Sequence, residues 1–173
     1  MIDPTNSAVA ALTDASAGSN DVMASDIVGA ARDVLNVMFF SDVLEDADAL
    51  PSPRPDTLQV YVKFDGDGAG EFQMEIDDST AQSLAGSFLG AEAGTKPNTE
   101  EVQQVMGELG NMVCGAFLSR YERDGLFNLS SPTVERASAA MPSGVARSLQ
   151  LLDGTMDLRI NWSVPVNRQS LPA

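Results

Sequence analysis

The chain has 173 residues, of which 43% are hydrophobic, and this size suits one domain with an ordinary core rather than two domains. Its formal net charge of −15 argues against nucleic acid or an anionic membrane surface as a partner, because both attract clusters of lysine and arginine. The single cysteine and the lack of histidine exclude disulfide frameworks, Cys/His zinc sites, and Ser-His-Asp or Cys-His catalytic groups.

The start of the chain is rich in small polar and acidic residues. We expect residues 1–20 to form a flexible acidic tail, because such side chains bury too little surface to offset the entropy of ordering them. The scattered acids of residues 1–56 also lack the spacing of metal ligands. No secretory signal is evident, and no apolar run approaches the ~18 residues that span a bilayer, so we expect a cytoplasmic protein. Residues 21–165 are predicted to form the domain, followed by a C-terminal tail, 166–173.

The first half of the domain predicts a helix followed by a hairpin. Apolar residues recur at helical spacing from 21 to 40, and the three prolines of residues 49–56 then forbid continued helix. The segments LQVYVKF (58–64) and EFQMEID (71–77) alternate apolar and polar residues around DGDGAG (65–70), which predicts an antiparallel hairpin with one face buried and the other wet. A calcium loop is the alternative for DGDGAG, but the spaced oxygen ligands and closing glutamate are missing.

The second half predicts two helices and further strands. Asp78 or Ser79 can cap a short helix that stops at Gly90. The longest helix opens at Pro97 with Asn98 and Glu101 as a capping pair and closes at Gly125. Strand segments follow at 127–134 and, as a hairpin that turns at Asp153-Gly154, at 148–164. The order of elements predicts an α+β fold: a mainly antiparallel sheet with two long helices and a short helix packed on one face.

The longest helix has two unlike faces. The apolar stripe that predicts its core side consists of Val102, Val105, Met106, Leu109, Met112, Val113 and Ala116. Gln104, Glu108, Asn111 and Gly115 fall nearly opposite, and Glu108 and Asn111 lie one turn apart. The four residues are therefore predicted to share one exposed face.

The glycines of this helix need an explanation. Gly107, Gly110 and Gly115 each cost roughly 1 kcal/mol relative to alanine in a helix interior. One interpretation is that Glu108 and Asn111 are merely solvated, as charged helix residues usually are. The other is that a face stripped to small residues lets a neighbouring helix or a separate protein approach closely.

At this helix the sequence resembles the CheC/CheX/FliY family of response-regulator phosphatases. The resemblance rests on GELGNMVCGAF (107–117), which contains the family's E-x-x-N pattern as Glu108 and Asn111. The segments VLNVMFF (34–40) and EFQMEIDDSTAQSLAGSFLG (71–90) are also similar, so the resemblance covers roughly residues 22–165. A single E-x-x-N is similar to the one-site CheX arrangement.

The sequence departs from the family pattern at two places. Gln104 stands where the family often has Asp or Ser, and Pro132 is closer to the asparagine than the family's proline. The first departure bears on how a partner docks, and the second on the length of a loop.

The resemblance implies a phosphatase that hydrolyses the phosphorylated aspartate of a CheY-like receiver. Asn111 would hold the attacking water and Glu108 would pair with the receiver's lysine, with Gln104, Gly107 and Gly115 as partner contacts. The protein would need no metal or cofactor of its own, since the receiver supplies Mg²⁺, and it would be a homodimer. The alternative is a non-catalytic module that binds a receiver or docks as flagellar-switch proteins do.

Overall fold

The computed structural model describes residues 4–49, 52–92, 95–138 and 143–163. The described residues form three helices and seven strands. In chain order these are α1 (Pro4–Phe39), β1 (Glu45–Ala47), β2 (Thr57–Gly66), β3 (Ala69–Asp77), α2 (Asp78–Leu89), α3 (Thr99–Tyr121), β4 (Phe127–Leu129), β5 (Thr133–Arg136), β6 (Val145–Leu151) and β7 (Gly154–Ser163).

The strands form one antiparallel sheet in the order β1-β6-β7-β3-β2-β4, with β5 also pairing with β2. β2 and β3 pair antiparallel with Val60 opposite Met74, so the predicted hairpin is confirmed. Gly90 ends α2 in a left-handed conformation with φ 63°, as predicted for a helix stop. The predicted α+β class with a mainly antiparallel sheet is confirmed.

A single apolar core joins the helices to one side of the sheet. The apolar residues of β2 and β3 are buried there with Ile27 and Leu35 of α1 and with most of the predicted stripe of α3. Met112 and Ala116 lie at its margin and are only partly buried. Within the described ranges, no helix combines the length and apolarity needed to cross a membrane.

Helix α1 is longer than predicted. It begins at Pro4, so the segment 1–20, predicted as a flexible tail, is helical from that residue onwards, and it ends at Phe39. The prediction weighed the low apolar content of the segment and not its many alanines, which have the highest helix propensity of any residue. The predicted end of the domain at 165 and the tail 166–173 lie outside the described residues.

The sheet face remote from the core is polar, but its centre is not exposed to solvent. Gln59, Gln73, Glu75 and Asp157 are at most 2% exposed. Arg54, from the proline-rich segment, lies against two of them, with its Nε atom 3.5 Å from Glu75 Oε1 and 3.3 Å from Asp157 Oδ2. The prediction of a wet second face is wrong at this centre, because the segment assumed to be a connection folds back over the sheet.

Candidate functional site

The frame of the site is α3, whose start is fixed by a capping box. Asn98 Oδ1 accepts from the Glu101 N–H at 3.0 Å, and Glu101 Oε2 accepts from the Asn98 N–H at 2.7 Å. This pair satisfies two backbone donors that a helix start otherwise leaves unbonded. The predicted capping residues are confirmed, and the helix is held at its first turn.

Three of the predicted site residues share the outward side of α3 with Asn111. Gln104 and Glu108 are exposed, and Asn111 and Gly115 are half-buried. A Cβ atom added to Gly115 would meet nothing within 4 Å, so the surface beside Asn111 is open. Helical spacing places all four on one side of the helix, as predicted from the sequence.

Asn111 has unused hydrogen-bonding capacity. Its Oδ1 atom is buried and has no hydrogen-bond partner in the described part of the chain. Other buried side-chain atoms, such as Gln73 Oε1 and Thr80 Oγ1, share this property, but Asn111 combines it with a place on the outward side of α3. A carboxamide carries both donors and an acceptor, and it can therefore hold and orient a water or a polar group of a second molecule.

Glu108 is an exposed carboxylate without a counter-ion. No ion pair or side-chain hydrogen bond joins it to another residue in the described ranges. It lies one turn before Asn111 on the same side of α3. A cation presented by a second molecule can pair with it without displacing an intramolecular partner.

Gly107 does not belong to this exposed side. It is buried, and an added Cβ would lie 3.2 Å from Pro132 Cγ and 3.5 Å from Val134 Cγ2. At Gly110 an added Cβ would lie 2.7 Å from Val60 Cγ1. The predicted partner contact at Gly107 is wrong, because these two glycines let α3 approach the protein's own sheet rather than a second molecule.

Pro132 is the neighbour of the site that sequence reasoning did not place. It is half-buried, directly precedes β5 and packs on Gly107, the residue before Glu108. The loop at 130–132 is thereby held against the turn of α3 that carries Glu108. The only sequence signal was the altered spacing between Pro132 and Asn111, and this spacing did not predict that Pro132 contacts Gly107.

The thiol of the chain is not available to the site as a nucleophile. Cys114, the only cysteine of the chain, is fully buried in the core, and burial raises the pKa of its thiol to about 12. Across the parts of the chain that the structure describes, no three His, Cys, Asp or Glu side chains come together as a metal site would require. Around Asn111, the outward side of α3 offers the carboxylate of Glu108 and the carboxamides of Gln104 and Asn111, which suit binding a cation and orienting a water.

The family model of the chemotaxis phosphatase CheX matches residues 58–147, slightly more than half of the chain. The chain belongs to the CheX family. The match contains the hairpin, α2 and all of α3, so it includes both Glu108 and Asn111. A comparison with curated proteins gave no significant match.

Solved CheX structures have the same fold at low sequence identity. The chemotaxis protein CheX of Desulfovibrio desulfuricans is 16% identical, with a TM-score of 0.63 over 82% of this chain and 99% of that one. CheX of Vibrio vulnificus is 20% identical, with a TM-score of 0.64 over 82% and 96%. A CheX-CheY-BeF3-Mg²⁺ complex from Borrelia burgdorferi is similar at 20% identity, with a TM-score of 0.62 over 80% and 96%.

Proposed function

We propose that this CheX-family protein is a phosphatase that hydrolyses the aspartyl phosphate of a CheY-like receiver protein in chemotaxis or two-component signalling. The observation that carries the proposal is Asn111, a half-buried carboxamide with an unpartnered oxygen one turn from the unpaired carboxylate of Glu108. Family membership supports the reaction class, and the CheX–CheY complex from Borrelia burgdorferi supports a receiver as the partner.

The chemistry needs little more than positioning. An acyl phosphate is already activated, so a water held in line with the phosphorus can displace the aspartate without a protein nucleophile. Water attack forms one P–O bond while the bond to the aspartate oxygen breaks, which releases phosphate and regenerates the carboxylate. Asn111 would hold this water, and the Mg²⁺ that arrives with the receiver would neutralise the phosphoryl oxygens.

The remaining residues of the exposed side would act in docking. Glu108 would pair with a lysine of the receiver and so anchor α3 across the phosphorylation site. Gln104 and Gly115 flank the pair on the same side of the helix, and the open space at Gly115 would let the receiver's backbone approach closely. Gly107 has no part in this contact, because Pro132 of the same chain covers it.

The proposal is tested by the decay of a phosphorylated CheY-like receiver from the same cell. Wild-type protein should accelerate loss of phosphate from the receiver. Asn111→Ala should lower this accelerated rate by roughly 100-fold or more, as removal of one positioned polar group does in other enzymes. Glu108→Ala should be impaired through binding. Glu45→Ala removes an exposed glutamate of β1, at the edge of the sheet opposite β5 and off α3; it is the matched control and should behave as wild type.

Two results would redirect the proposal. Unchanged activity in Asn111→Ala would refute the assignment of that residue. Equal decay rates with and without the protein, despite measurable complex formation, would select the docking-module alternative. The sequence observation that favours this alternative is Gln104, which departs from the family pattern.

The proposal also includes a cytoplasmic homodimer, as expected from the resemblance to CheX. Size-exclusion chromatography with light scattering should give twice the chain mass of 18.2 kDa. A monomer at all concentrations used in the phosphatase assay would remove the dimer from the proposal and leave the reaction in place.

A further inference from the structure

The first residue after α1, Phe40, departs from two ordinary preferences. Its φ of 53° lies in the left-handed region, which glycine usually occupies at a helix end, and its side chain is 83% exposed. A bulky residue in this region is a conformational outlier that costs on the order of 1 kcal/mol or more. The turn is fixed by the Ser41 N–H, which donates to the Leu35 carbonyl at 3.1 Å. The fold thus holds an aromatic ring in water at a position where glycine would be more stable.

A pocket of about 300 Å³, lined half by apolar and half by polar side chains, lies beside this ring. Its floor includes Leu84 and Leu151, which belong to the core, and its rim includes Leu44 and Leu152, which are 57% and 82% exposed. Exposed apolar side chains gathered around a concave site are typical of surfaces that bind other molecules. The volume lies at the lower end of the range of ligand pockets and is large enough to take one inserted side chain.

The charged residues of the pocket have one sign. Asp42 and Asp153 are both exposed, and no lysine or arginine lines the pocket. Neutral donors hold each carboxylate: Asn36 Nδ2 donates to Asp42 at 2.8 Å, and Ser83 Oγ donates to Asp153 at 2.5 Å. The C-terminal end of α1 adds its partial negative charge here, and its last turn carries no basic residue.

We propose that the pocket bounded by Phe40, Leu44 and Leu152 docks a protein segment in which a large apolar side chain stands next to lysine or arginine. The apolar side chain fills the pocket and the cation pairs with Asp42 or Asp153. The same acidic rim disfavours a second copy of this chain, since a two-fold contact would bring like charges together. None of the lining residues belongs to α3, so this surface is separate from the side that carries Glu108 and Asn111.

The test uses two fluorescein-labelled amphipathic peptides of about 14 residues, with the same leucine pattern and with either lysine or glutamate on the polar side. Anisotropy titrations of the full chain should show binding of the lysine peptide that weakens as salt is raised, and affinity for the glutamate peptide that is at least about tenfold lower. Phe40→Gly should lower the affinity for the lysine peptide by about tenfold or more, while the melting temperature is kept or raised because glycine relieves the left-handed backbone. Leu152→Ser is a second variant with the same expectation for binding.

Leu126→Ala is the matched control, because Leu126 is 79% exposed at the turn before β4, away from the pocket. It should bind the lysine peptide as wild type does. Equal affinity for the two peptides, no binding of either, or wild-type affinity in both Phe40→Gly and Leu152→Ser would overturn the proposal. Conversion of a dimer into a monomer by Phe40→Gly would also overturn it, because a second copy would then be the occupant.

Discussion

Replacing Gly110 with alanine should destabilise the protein, although alanine is the better helix former by about 1 kcal/mol. The new Cβ would lie 2.7 Å from Val60 Cγ1, well inside the ~3.5–4.0 Å of ordinary carbon contacts. Val60 is 0% exposed on β2, which is paired on both sides, and its branched side chain has few other rotamers. Overpacking of this kind costs about 1–3 kcal/mol, so we expect a net loss of up to about 2 kcal/mol in the free energy of unfolding.

Urea denaturation of three glycine variants measures this effect against matched controls. Gly115→Ala is the same substitution in the same helix with open space around it, and it should stabilise by about 0.5–1 kcal/mol. Gly29→Ala would put a Cβ 2.8 Å from Arg120 Nη1, the end of a flexible side chain that can move away, so it should be within about 1 kcal/mol of wild type. If Gly110→Ala stabilises as much as Gly115→Ala, the close packing of α3 on β2 is refuted.

A double-mutant cycle locates the clash. Val60→Ala alone should leave a cavity and cost about 2 kcal/mol or more, whereas the methyl group of Gly110→Ala should partly fill that space in the double variant. We therefore expect the two changes to be non-additive by about 1 kcal/mol. Additive costs would show that the two side chains do not compete for the same volume.

Three further predictions concern other parts of the fold. Arg54→Ala should cost about 3–5 kcal/mol in urea denaturation, because it removes the guanidinium that pairs with the buried carboxylates of Glu75 and Asp157; a loss below about 1 kcal/mol would contradict the burial of this cluster. Burial alone would raise the pKa of Glu75. Hydrogen bonds from Ser52, the Arg54 N–H and Gln59, together with the charge of Arg54, outweigh this effect, so the pKa of Glu75 in the folded state lies below its ordinary value of 4.5. The stability that Glu75 contributes is therefore present above about pH 4.3 and is lost as the pH falls through the folded-state pKa of Glu75. Glu75→Gln should make the free energy of unfolding depend less steeply on pH on the acid side. An unchanged acid side would count against this linkage. Cys114 should react with a thiol reagent at pH 8 only as fast as the protein unfolds, and fast labelling without denaturant would show that it is accessible.

Short-range patterns gave most of the fold. The alternation of apolar and polar residues in β2 and β3 predicted which residues face the core. The capping residues Asn98 and Glu101 predicted where α3 begins. Both signals are local, since they depend on residues within a strand or a single helical turn. The same periodicity placed Glu108 and Asn111 on one side of α3.

Apart from the early start of α1, the errors arose where contacts between residues distant in sequence decide the structure. Helical spacing shows which side of α3 is apolar, but it does not show that Pro132 and Val134 cover Gly107. The fold-back of Arg54 over the polar face of the sheet depends on contacts with Glu75 and Asp157, which are distant in sequence and carry no periodic signal. The left-handed conformation of Phe40 could not be predicted either, because sequence rules assign that conformation to glycine.

The most direct test of catalysis by the exposed side of α3 is single-turnover decay of the phosphorylated receiver at increasing protein concentration. This titration separates the maximal rate from the concentration that gives half of it. Asn111→Ala should lower the maximal rate by roughly 100-fold with little change in half-saturation, because it removes the group that positions the water. Glu108→Ala should mainly raise the half-saturating concentration. A maximal rate in Asn111→Ala equal to that of wild type would contradict the assignment of this carboxamide to the chemical step.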